Sequence, residues 1–270
     1  MNSSDIMPPR IHAVIISWEG YGPAARSIAE HVAPSVENLS VIYSNRAETP
    51  ETGPGDWRSV RNSAFFGAKF RTALDVYEGG ILLLFHADTS FSDWPALVDR
   101  CRSVFRNHPD LGIWSPDFTH TPFPNSFVRI GDGPEPGLIS VGYPDGIIVA
   151  LREDVVRRLQ ELDYSKNNLG WGIIWAGVAY SFTHNLLVCR ETNLVVEHAL
   201  GRGYDSEEAT VQRELFLSQL TIQERNQVEL IRALTNSRIA PVPPLHIRIA
   251  RRLRRKFEWL QRSASSGSRR

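Results

Sequence analysis

Four short apolar runs, separated by segments of helical periodicity, constrain the fold of this chain more than any other feature. The runs cover residues 11–16, 38–45, 81–85 and 111–116, and each is long enough for one strand. Continuous apolar strands that alternate with helices are typical of a mostly parallel sheet with helices on both faces. We therefore predict an α/β fold with a Rossmann-type, mostly parallel sheet covered by helices.

The segments around these runs carry the expected helix and turn signals. Ser92 is predicted to cap the helix that follows the third strand, and Pro95 suits the first turn of that helix. Residues 116–137 contain five prolines and three glycines, which predicts a long irregular excursion. After it we predict a strand and helix at 145–162, a helix at 170–184, two short strands at 185–198, helical structure at 206–235 and a closing basic helix.

Charge divides the chain into two unequal parts. Residues 241–270 carry nine Lys or Arg and one acid, whereas the first 240 residues carry 21 basic and 29 acidic side chains. We therefore predict one domain over residues 1–240 and a basic tail over 241–270. The acidic balance of the domain argues against nucleic-acid binding, because nothing there supplies a surface that follows phosphates.

Cysteine content and hydropathy bound the cellular setting. Cys101 and Cys189 lie in apolar periodic segments, which predicts that both are small core residues rather than a disulfide or metal pair. No apolar run approaches the ~20 residues of a membrane span, and the first residues lack a secretion-signal pattern. We expect a cytoplasmic protein.

Polar side chains follow three of the predicted strands. Because the carboxyl ends of parallel strands meet at one edge of a sheet, these groups are expected to face a common ligand. A dinucleotide site is not indicated, since the chain has no G-x-G-x-x-G sequence after its first strand and no phosphate-loop lysine. The polar residues at the strand ends are Ser17, Trp18, Ser44, Asn45, His86 and Asp88.

An acidic strand end suits a different way of binding nucleotides, in which a divalent cation is held against a diphosphate. Mg²⁺ and Mn²⁺ favour oxygen ligands, and Mn²⁺ also accepts an imidazole. Such a cation neutralises a leaving diphosphate when the bond to a sugar breaks. Asp88, with His86 two positions before it, is therefore a candidate for Mn²⁺ or Mg²⁺ binding.

The chain resembles nucleotide-sugar-dependent glycosyltransferases of the GT-A fold (family-2-like). The resemblance covers roughly residues 11–205 and depends on "YSN", "LLLFHADTSF", "NNLGWGIIWA" and "VVEHALGRGY". It implies that His86-Ala87-Asp88 stands for the D-x-D-like motif, with the first acid replaced, and that His198 completes the metal ligands with Asp88. It further implies donor contacts from Ser17, Trp18, Asn45, Arg61, Lys69, His86, Arg202 and Tyr204.

One position departs from the pattern of that family. Relatives tend to carry an acid near the end of the "GWG" segment, where it deprotonates the acceptor, and this chain has Ile174 there. Three alternatives follow. Another carboxylate serves as the base, with Asp145 preferred over Glu191; or the reaction retains configuration and needs no base there; or the protein binds a sugar nucleotide without turnover.

These observations predict a metal-assisted glycosyltransferase that moves a sugar from a nucleotide-sugar donor to a glycan or lipid-linked acceptor, as in polysaccharide biosynthesis. The main alternative is a catalytically silent sugar-nucleotide or glycan-binding protein of the same fold. A weaker alternative is a nucleotidyltransferase that makes the activated sugar, although the chain lacks the glycine-rich, lysine-containing loop expected near its N-terminus. Trp171, between two glycines, is a candidate acceptor contact. Residues 246–262 form a basic amphipathic pattern that predicts peripheral binding to an anionic membrane surface at the inner membrane face.

Overall fold

A computed structural model describes residues 8–47, 49–198 and 205–238 of the chain, with side chains to residue 235. Strands and helices alternate along it as the apolar runs predict. The strands are β1 (Ile11–Ile16), β2 (Asn38–Tyr43), β3 (Asp56–Ser59), β4 (Ile81–His86), β5 (Thr89–Ser90), β6 (Leu111–Phe118), β7 (Arg129–Asp132), β8 (Leu138–Val141), β9 (Ile148–Leu151) and β10 (Leu187–His198). The helices are α1 (Gly22–Val32), α2 (Phe66–Val76), α3 (Trp94–Asn107), α4 (Asn125–Val128), α5 (Glu153–Gln160), α6 (Ile173–Thr183), α7 (Ser206–Leu217) and α8 (Ile222–Arg238).

The described strands form one sheet in the order β3-β2-β1-β4-β9-β6-β10-β8-β7, and β5 pairs with β10 outside this path. β3, β2, β1 and β4 are parallel neighbours, and β6 is parallel to β10. β9 enters antiparallel between β4 and β6. The predicted Rossmann-type, mostly parallel α/β fold is confirmed, and every antiparallel pair of the described sheet includes at least one strand from β5 onward.

The core lies in two layers because successive side chains of a strand point to opposite faces of the sheet. On β1, Val14 and Ile16 pack toward the layer formed with α2, α5 and α6. Ala13 and Ile15 pack toward the layer formed with α1 and α3. Both faces of the sheet are therefore covered, which explains why β1 and β4 read as continuous apolar runs. Cys101 and Cys189 are free and buried, as predicted.

The cap of α3 differs from the sequence prediction. Asp93, not Ser92, is the N-cap, and its carboxylate accepts a hydrogen bond from the backbone N–H of Ala96 at 3.0 Å. Pro95 lies in the first turn, as predicted. The helix begins one residue later than expected because the longer carboxylate of Asp93 serves the exposed backbone N–H.

Several other segments differ from the predicted elements. The stretch 116–137 contains the end of β6, helix α4 and strand β7, so the prediction of an irregular excursion was wrong in part. Residues 187–198 form one strand, β10, with a register irregularity between Arg190 and Val195, where two short strands were predicted. Residues 206–238, predicted as helical to residue 235, form the two helices α7 and α8. β3 was not predicted, because its four residues lack an apolar pattern.

The chain divides into two units, Met1–Thr235 and Asn236–Arg270. The second unit falls almost entirely outside the described residues, so the predicted boundary at residue 240 stays a prediction. Over the described part of the chain, no helix has the length and hydropathy that crossing a membrane requires.

Candidate active site

The carboxyl ends of β1 and β4 lie side by side, because the two strands are parallel and pair Ile16 with His86. The chain leaves them as Ser17-Trp18 and as Ala87-Asp88. The far end of β10 reaches the same edge, where His198 pairs with Thr89 of β5. Sheet topology therefore brings Asp88 and His198 together, as the resemblance implies.

Asp88 and His198 form the polar centre of this edge. His198 Nε2 lies 3.5 Å from Asp88 Oδ2, and His198 Nδ1 lies 3.4 Å from the carbonyl oxygen of His120. Burial acts to raise the pKa of Asp88, but the His198 hydrogen bond and the nearby His86 and His198 outweigh it, so that pKa is lowered. Burial acts to lower the pKa of His198, but Asp88 and the His120 carbonyl raise it above its ordinary 6.5.

Asp88 also has an unused oxygen. Its Oδ1 is shielded from solvent and has no hydrogen-bond partner among the described residues. A buried carboxylate oxygen without a donor is uncommon in native structures. The arrangement leaves this oxygen available to a ligand that supplies positive charge.

His86 is a neutral, enclosed imidazole. Its Nδ1 lies 4.0 Å from Asp88 Oδ1, and its Nε2 has no partner within the described part of the chain. The ring packs 5.0 Å from Trp18 and 5.0 Å from Phe66, measured between ring centroids. Burial lowers the pKa of His86 to about 4, against the opposing effect of Asp88, so the ring is uncharged near neutral pH.

An open pocket of about 580 Å³ lies beside Asp88. Residues from the start of α1, the end of β4, the segment after β6 and the end of β10 contribute to it. Its lining consists of Tyr21, Ala24, Ala87, Asp88, Thr89, Ser90, Thr119, His120, Glu197 and His198. The pocket is large enough for part of a nucleotide, and it borders both predicted metal ligands.

Lys69 is fully buried beneath this edge. Its Nζ donates a hydrogen bond to the Ser17 carbonyl oxygen at 2.7 Å and lies 5.1 Å from the Trp18 ring centroid. Burial lowers the pKa of Lys69 to about 8. The Ser17 hydroxyl is buried without a described partner. Lys69 thus fixes the Ser17-Trp18 turn, while its predicted place near the phosphates stays a prediction.

Asn45 follows β2 and Arg61 follows β3, at the carboxyl ends of these two parallel strands. Asn45 donates from Nδ2 to the Thr49 carbonyl oxygen at 3.0 Å and to Glu51 Oε1 at 2.9 Å. Arg61 is exposed in the turn that follows β3. Both remain predicted donor contacts.

Asp145 lies next to the position where the expected acid is missing. A β-carbon added to Gly146 would lie 2.9 Å from Cγ1 of Ile174, so Ile174 packs directly against the residue after Asp145. The Asp145 carboxylate accepts hydrogen bonds from the Thr121 hydroxyl and, at 2.7 Å, from the Gly146 N–H. Its charge is also among the groups that raise the pKa of His198. Asp145 thus lies one residue from the contact with Ile174, and its charge acts on His198.

The remaining candidates have different surroundings. Glu191 is 1% exposed and binds Arg100 Nε at 2.6 Å, an ion pair that engages the carboxylate away from Asp88. Trp171 is partly buried beneath Arg213, whose guanidinium carbon lies 5.8 Å from the ring centroid. Trp175 is partly buried and packs against the core cluster.

Some predictions lie outside the described residues, namely Arg202, Tyr204 and the tail at 246–262. Among the described residues, no group of three or more His, Cys, Asp or Glu side chains is arranged to hold a metal ion. Asp88 and His198 are therefore two predicted ligands that lie together, and their binding of a metal stays a prediction.

Sequence reasoning missed Tyr21, His120 and Thr121. Tyr21 and His120 line the pocket, and Thr121 binds Asp145. Their short-range sequence context carries no motif. Only the path of the chain after β6 brings His120 and Thr121 to the sheet edge.

This architecture is GT-A-like, as its similarity to solved structures shows. Among solved structures it is similar to a mannosyltransferase from Pyrobaculum calidifontis in complex with GDP-Man and Mn²⁺, at 13% identity and a TM-score of 0.52, covering 91% of this chain and 80% of that one. Residues 1–349 of S. aureus TarS give 12% identity and a TM-score of 0.56 over 85% of this chain and 71% of that one.

GalNAc-T7 with UDP, GalNAc and Mn²⁺ gives 11% identity and a TM-score of 0.51, over 72% of this chain and 44% of that one. At these identities the similarity establishes the fold alone. Neither a protein-family model nor a curated protein matches the sequence.

Proposed function

We propose that the protein is a glycosyltransferase that moves a sugar from a nucleotide-sugar donor to a glycan or lipid-linked acceptor with the help of a divalent metal. One observation carries this proposal. Asp88 and His198 meet 3.5 Å apart at the carboxyl edge of a GT-A-like sheet, beside an open pocket and with Asp88 Oδ1 unpartnered among the described residues.

The residues at this edge fit Mn²⁺ or Mg²⁺ as the metal. Asp88 offers a carboxylate with a free oxygen, and His198 offers an imidazole, a set that Mn²⁺ accepts more readily than Mg²⁺. A bound cation neutralises charge on the diphosphate that leaves the sugar. The GDP-Man and Mn²⁺ in the similar mannosyltransferase support this assignment. Neutral His86 packs behind Asp88, where it assists the carboxylate or contacts the diphosphate.

The donor nucleoside is assigned to the ends of β1 and β2. Ser17, Trp18 and Asn45 lie there, and Lys69 fixes the Ser17 carbonyl from below. The Ser17 hydroxyl and Asn45 Oδ1 are shielded from solvent and lack partners within the described ranges, so both have capacity to bind a ligand. Arg61, Arg202 and Tyr204 are proposed to contact the donor phosphates and sugar.

Asp145 is proposed as the base that deprotonates the acceptor hydroxyl. The packing of Ile174 against Gly146 supports this assignment, because Asp145 is the residue next to that contact and Ile174 stands where the resemblance leads us to expect an acid. The Thr121 hydroxyl and the Gly146 N–H hold the carboxylate in one orientation.

The acceptor side is assigned to Trp171 and the tail. Trp171, whose ring lies 5.8 Å from the Arg213 guanidinium carbon, is proposed to contact the acceptor sugar, and the basic amphipathic sequence 246–262 would bring the enzyme to an anionic membrane that carries a lipid-linked acceptor. Truncation after Pro244 tests the second point. Vesicle binding that survives the truncation would refute the membrane assignment.

The donor and the metal are tested together. The full chain is screened with UDP-, GDP- and CMP-sugars by thermal shift, with and without Mn²⁺, and each donor that binds is followed for nucleoside diphosphate or monophosphate release. We expect one donor class to stabilise the protein and to do so more strongly with Mn²⁺. Metal-independent stabilisation would refute the metal site.

Matched variants separate site effects from general ones. Asp88→Asn should abolish the Mn²⁺-dependent part of the shift, because it removes the negative charge and keeps the shape. Asp132→Asn is the control, since that side chain is 89% exposed on the β7–β8 hairpin. Donor binding without release across a panel of acceptors would favour the silent binding protein. Unchanged turnover in Asp145→Asn would remove Asp145 as the base.

A further inference from the structure

We propose that Arg190 and Ser115 are positioning residues that hold the Asp145 carboxylate at the edge of the sheet. The proposal rests on the proposed role of Asp145 as the base. It assigns a purpose to a fully buried arginine that the donor and metal sites do not use.

Arg190 is buried in the middle of β10, where it is 0% exposed. Its Nη1 donates to the carbonyl oxygen of Phe123 at 2.8 Å and to Asn125 Oδ1 at 3.0 Å. Its Nη2 donates to the carbonyl oxygen of Tyr143 at 3.3 Å. One guanidinium therefore joins the two chain segments that flank Asp145 in space.

Ser115 of β6 is the register partner of Arg190 in the parallel β6–β10 ladder. It is also 0% exposed, and its hydroxyl donates to the carbonyl oxygen of Pro144 at 2.9 Å. Two paired strands thus hold the consecutive carbonyls of Tyr143 and Pro144, immediately before Asp145.

Asp145 itself has a φ of 68°, a left-handed conformation that non-glycine residues rarely adopt. Such a conformation persists where surrounding contacts determine it. The fixed carbonyls on its N-terminal side supply those contacts.

A second branch reaches the same carboxylate from the other side. Arg190 holds the Phe123 carbonyl, the Phe123 N–H donates to the Thr121 hydroxyl oxygen at 3.0 Å, and that hydroxyl donates to Asp145 Oδ2. Both arms of the guanidinium therefore act on Asp145, one through its backbone and one through Thr121.

The charge of Arg190 fits this role as well. The Asp117 carboxylate lies 3.7 Å away, beyond hydrogen-bond distance, so carbonyl and amide oxygens are the close partners. Burial lowers the pKa of Arg190, and the charges of Asp145 and Asp117 oppose that effect.

The test uses the full chain with Arg190→Met, Arg190→Lys and Ser115→Ala. Arg158→Met is the matched control, because Arg158 is an ion-paired arginine that binds Glu224 and does not touch the segments around Asp145. Backbone hydrogen exchange is measured by mass spectrometry in the segments 119–128 and 143–147, with β1 and β4 as internal references. In parallel, kcat and the donor KM are measured with the donor identified by the screen.

We expect exchange in both segments to rise about tenfold in Arg190→Lys, because one ammonium cannot reach the Phe123 and Tyr143 carbonyls together, and more in Arg190→Met. Ser115→Ala should affect 143–147 alone. The kcat should fall about 10- to 100-fold in Arg190→Met with the donor KM within about twofold, and Arg190→Lys should recover part of it. Arg158→Met should change neither segment selectively.

Unchanged exchange in these segments, or an equal rise in β1 and β4, would overturn the proposal, as would a loss of activity expressed mainly in the donor KM. The exchange result does not require turnover. A wild-type protein that binds no donor would therefore refute the proposed function and still leave the exchange measurement to decide the role of Arg190.

Discussion

His198 Nε2 lies 3.5 Å from Asp88 Oδ2, although the two residues come from the ends of strands that are not neighbours in the sheet. The short strand β5, which directly follows Asp88, pairs with the end of β10 and makes this approach possible. The pair combines a carboxylate with a lowered pKa and an imidazole with a raised pKa. Their mutual attraction means that a cation must compete with the proton on His198.

This competition predicts a pH dependence of metal binding. The pKa of His198 is raised above 6.5, so His198 carries a proton below that raised value and must lose it to bind a metal. We expect the affinity for Mn²⁺, measured by calorimetry with UDP or GDP present, to weaken about tenfold from pH ~8 to pH ~6. His198→Asn should weaken binding and flatten this slope, whereas His184→Asn, at the exposed end of α6, should preserve it. A slope retained in His198→Asn would exclude His198 as a ligand.

The proximity of Ile174 to Asp145 predicts functional complementation. In an Asp145→Asn background, Ile174→Asp returns a carboxylate to the position where relatives carry one. We expect it to raise the turnover rate about tenfold above that of Asp145→Asn alone. Ile174→Asn in the same background is the control, since it has the same shape and cannot accept a proton from the acceptor. Equal rates for the two double variants would contradict the assignment of a base to this region. Thermal melting checks that both are folded, because Ile174 is buried.

The Arg158–Glu224 pair predicts a specific stability loss. Glu224, with 3% of its side chain exposed, accepts hydrogen bonds from Arg158 at 2.8 and 2.9 Å and, at 2.8 Å, from the N–H of Thr221, the residue before α8. Glu224→Gln leaves the arginine without its buried charge partner, and we expect unfolding in urea to show a loss of about 3 kcal/mol. Glu161→Gln, which removes the 67% exposed partner of the same arginine, should cost less than about 1 kcal/mol.

The same pair sets a pH effect on stability. Burial acts to raise the pKa of Glu224, but Arg158 and Thr221 outweigh it and lower that pKa below 4.5. A carboxyl with a lowered folded-state pKa contributes stability that is fully present above 4.5 and is lost as the pH falls through the folded value. The stability difference between wild type and Glu224→Gln should therefore shrink in that acidic range. A constant difference down to pH ~3 would contradict this account.

The contact between α2 and the loop before α6 predicts that Gly67 cannot be enlarged. A β-carbon there would collide with the carbonyl oxygen of Asn167, and the Gly67 N–H already donates to the Asn168 carbonyl at 2.8 Å. We expect Gly67→Ala to lower the free energy of unfolding by about 1–3 kcal/mol, measured by urea titration. Gly131→Ala, where a β-carbon would meet open space, should be close to neutral. Equal effects would indicate that the loop moves away freely.

Much of the fold follows from local pattern. The apolar runs predict β1, β2, β4 and β6 because a strand buried on both faces has few polar positions. The cap of α3 was misplaced by one residue, since Ser92 and Asp93 are both good caps and the sequence alone does not choose between them. β3 was missed because an edge strand with mostly exposed side chains leaves no apolar signal.

Some residues of the candidate site were likewise predicted from the sequence, whereas the roles of others depend on packing. Asp88 was predicted from its place directly after a buried strand, and His198 from the resemblance. Lys69 was predicted near phosphates, but its full burial against the Ser17 carbonyl is a property of packing that its helical position does not reveal. No sequence feature predicts a role for Thr121, because its contact with Asp145 depends on how the segment after β6 returns to the sheet.

By itself the sequence determined which segments become strands and helices, and that polar groups stand at the ends of β1, β2 and β4, because these properties depend on neighbours within a few residues. Only the tertiary structure decided that His198 meets Asp88, that Ile174 packs beside Asp145 and that Arg190 lies beneath both segments around that carboxylate. These contacts depend on strand order and register, which arise from packing between distant parts of the chain and leave no local pattern in it.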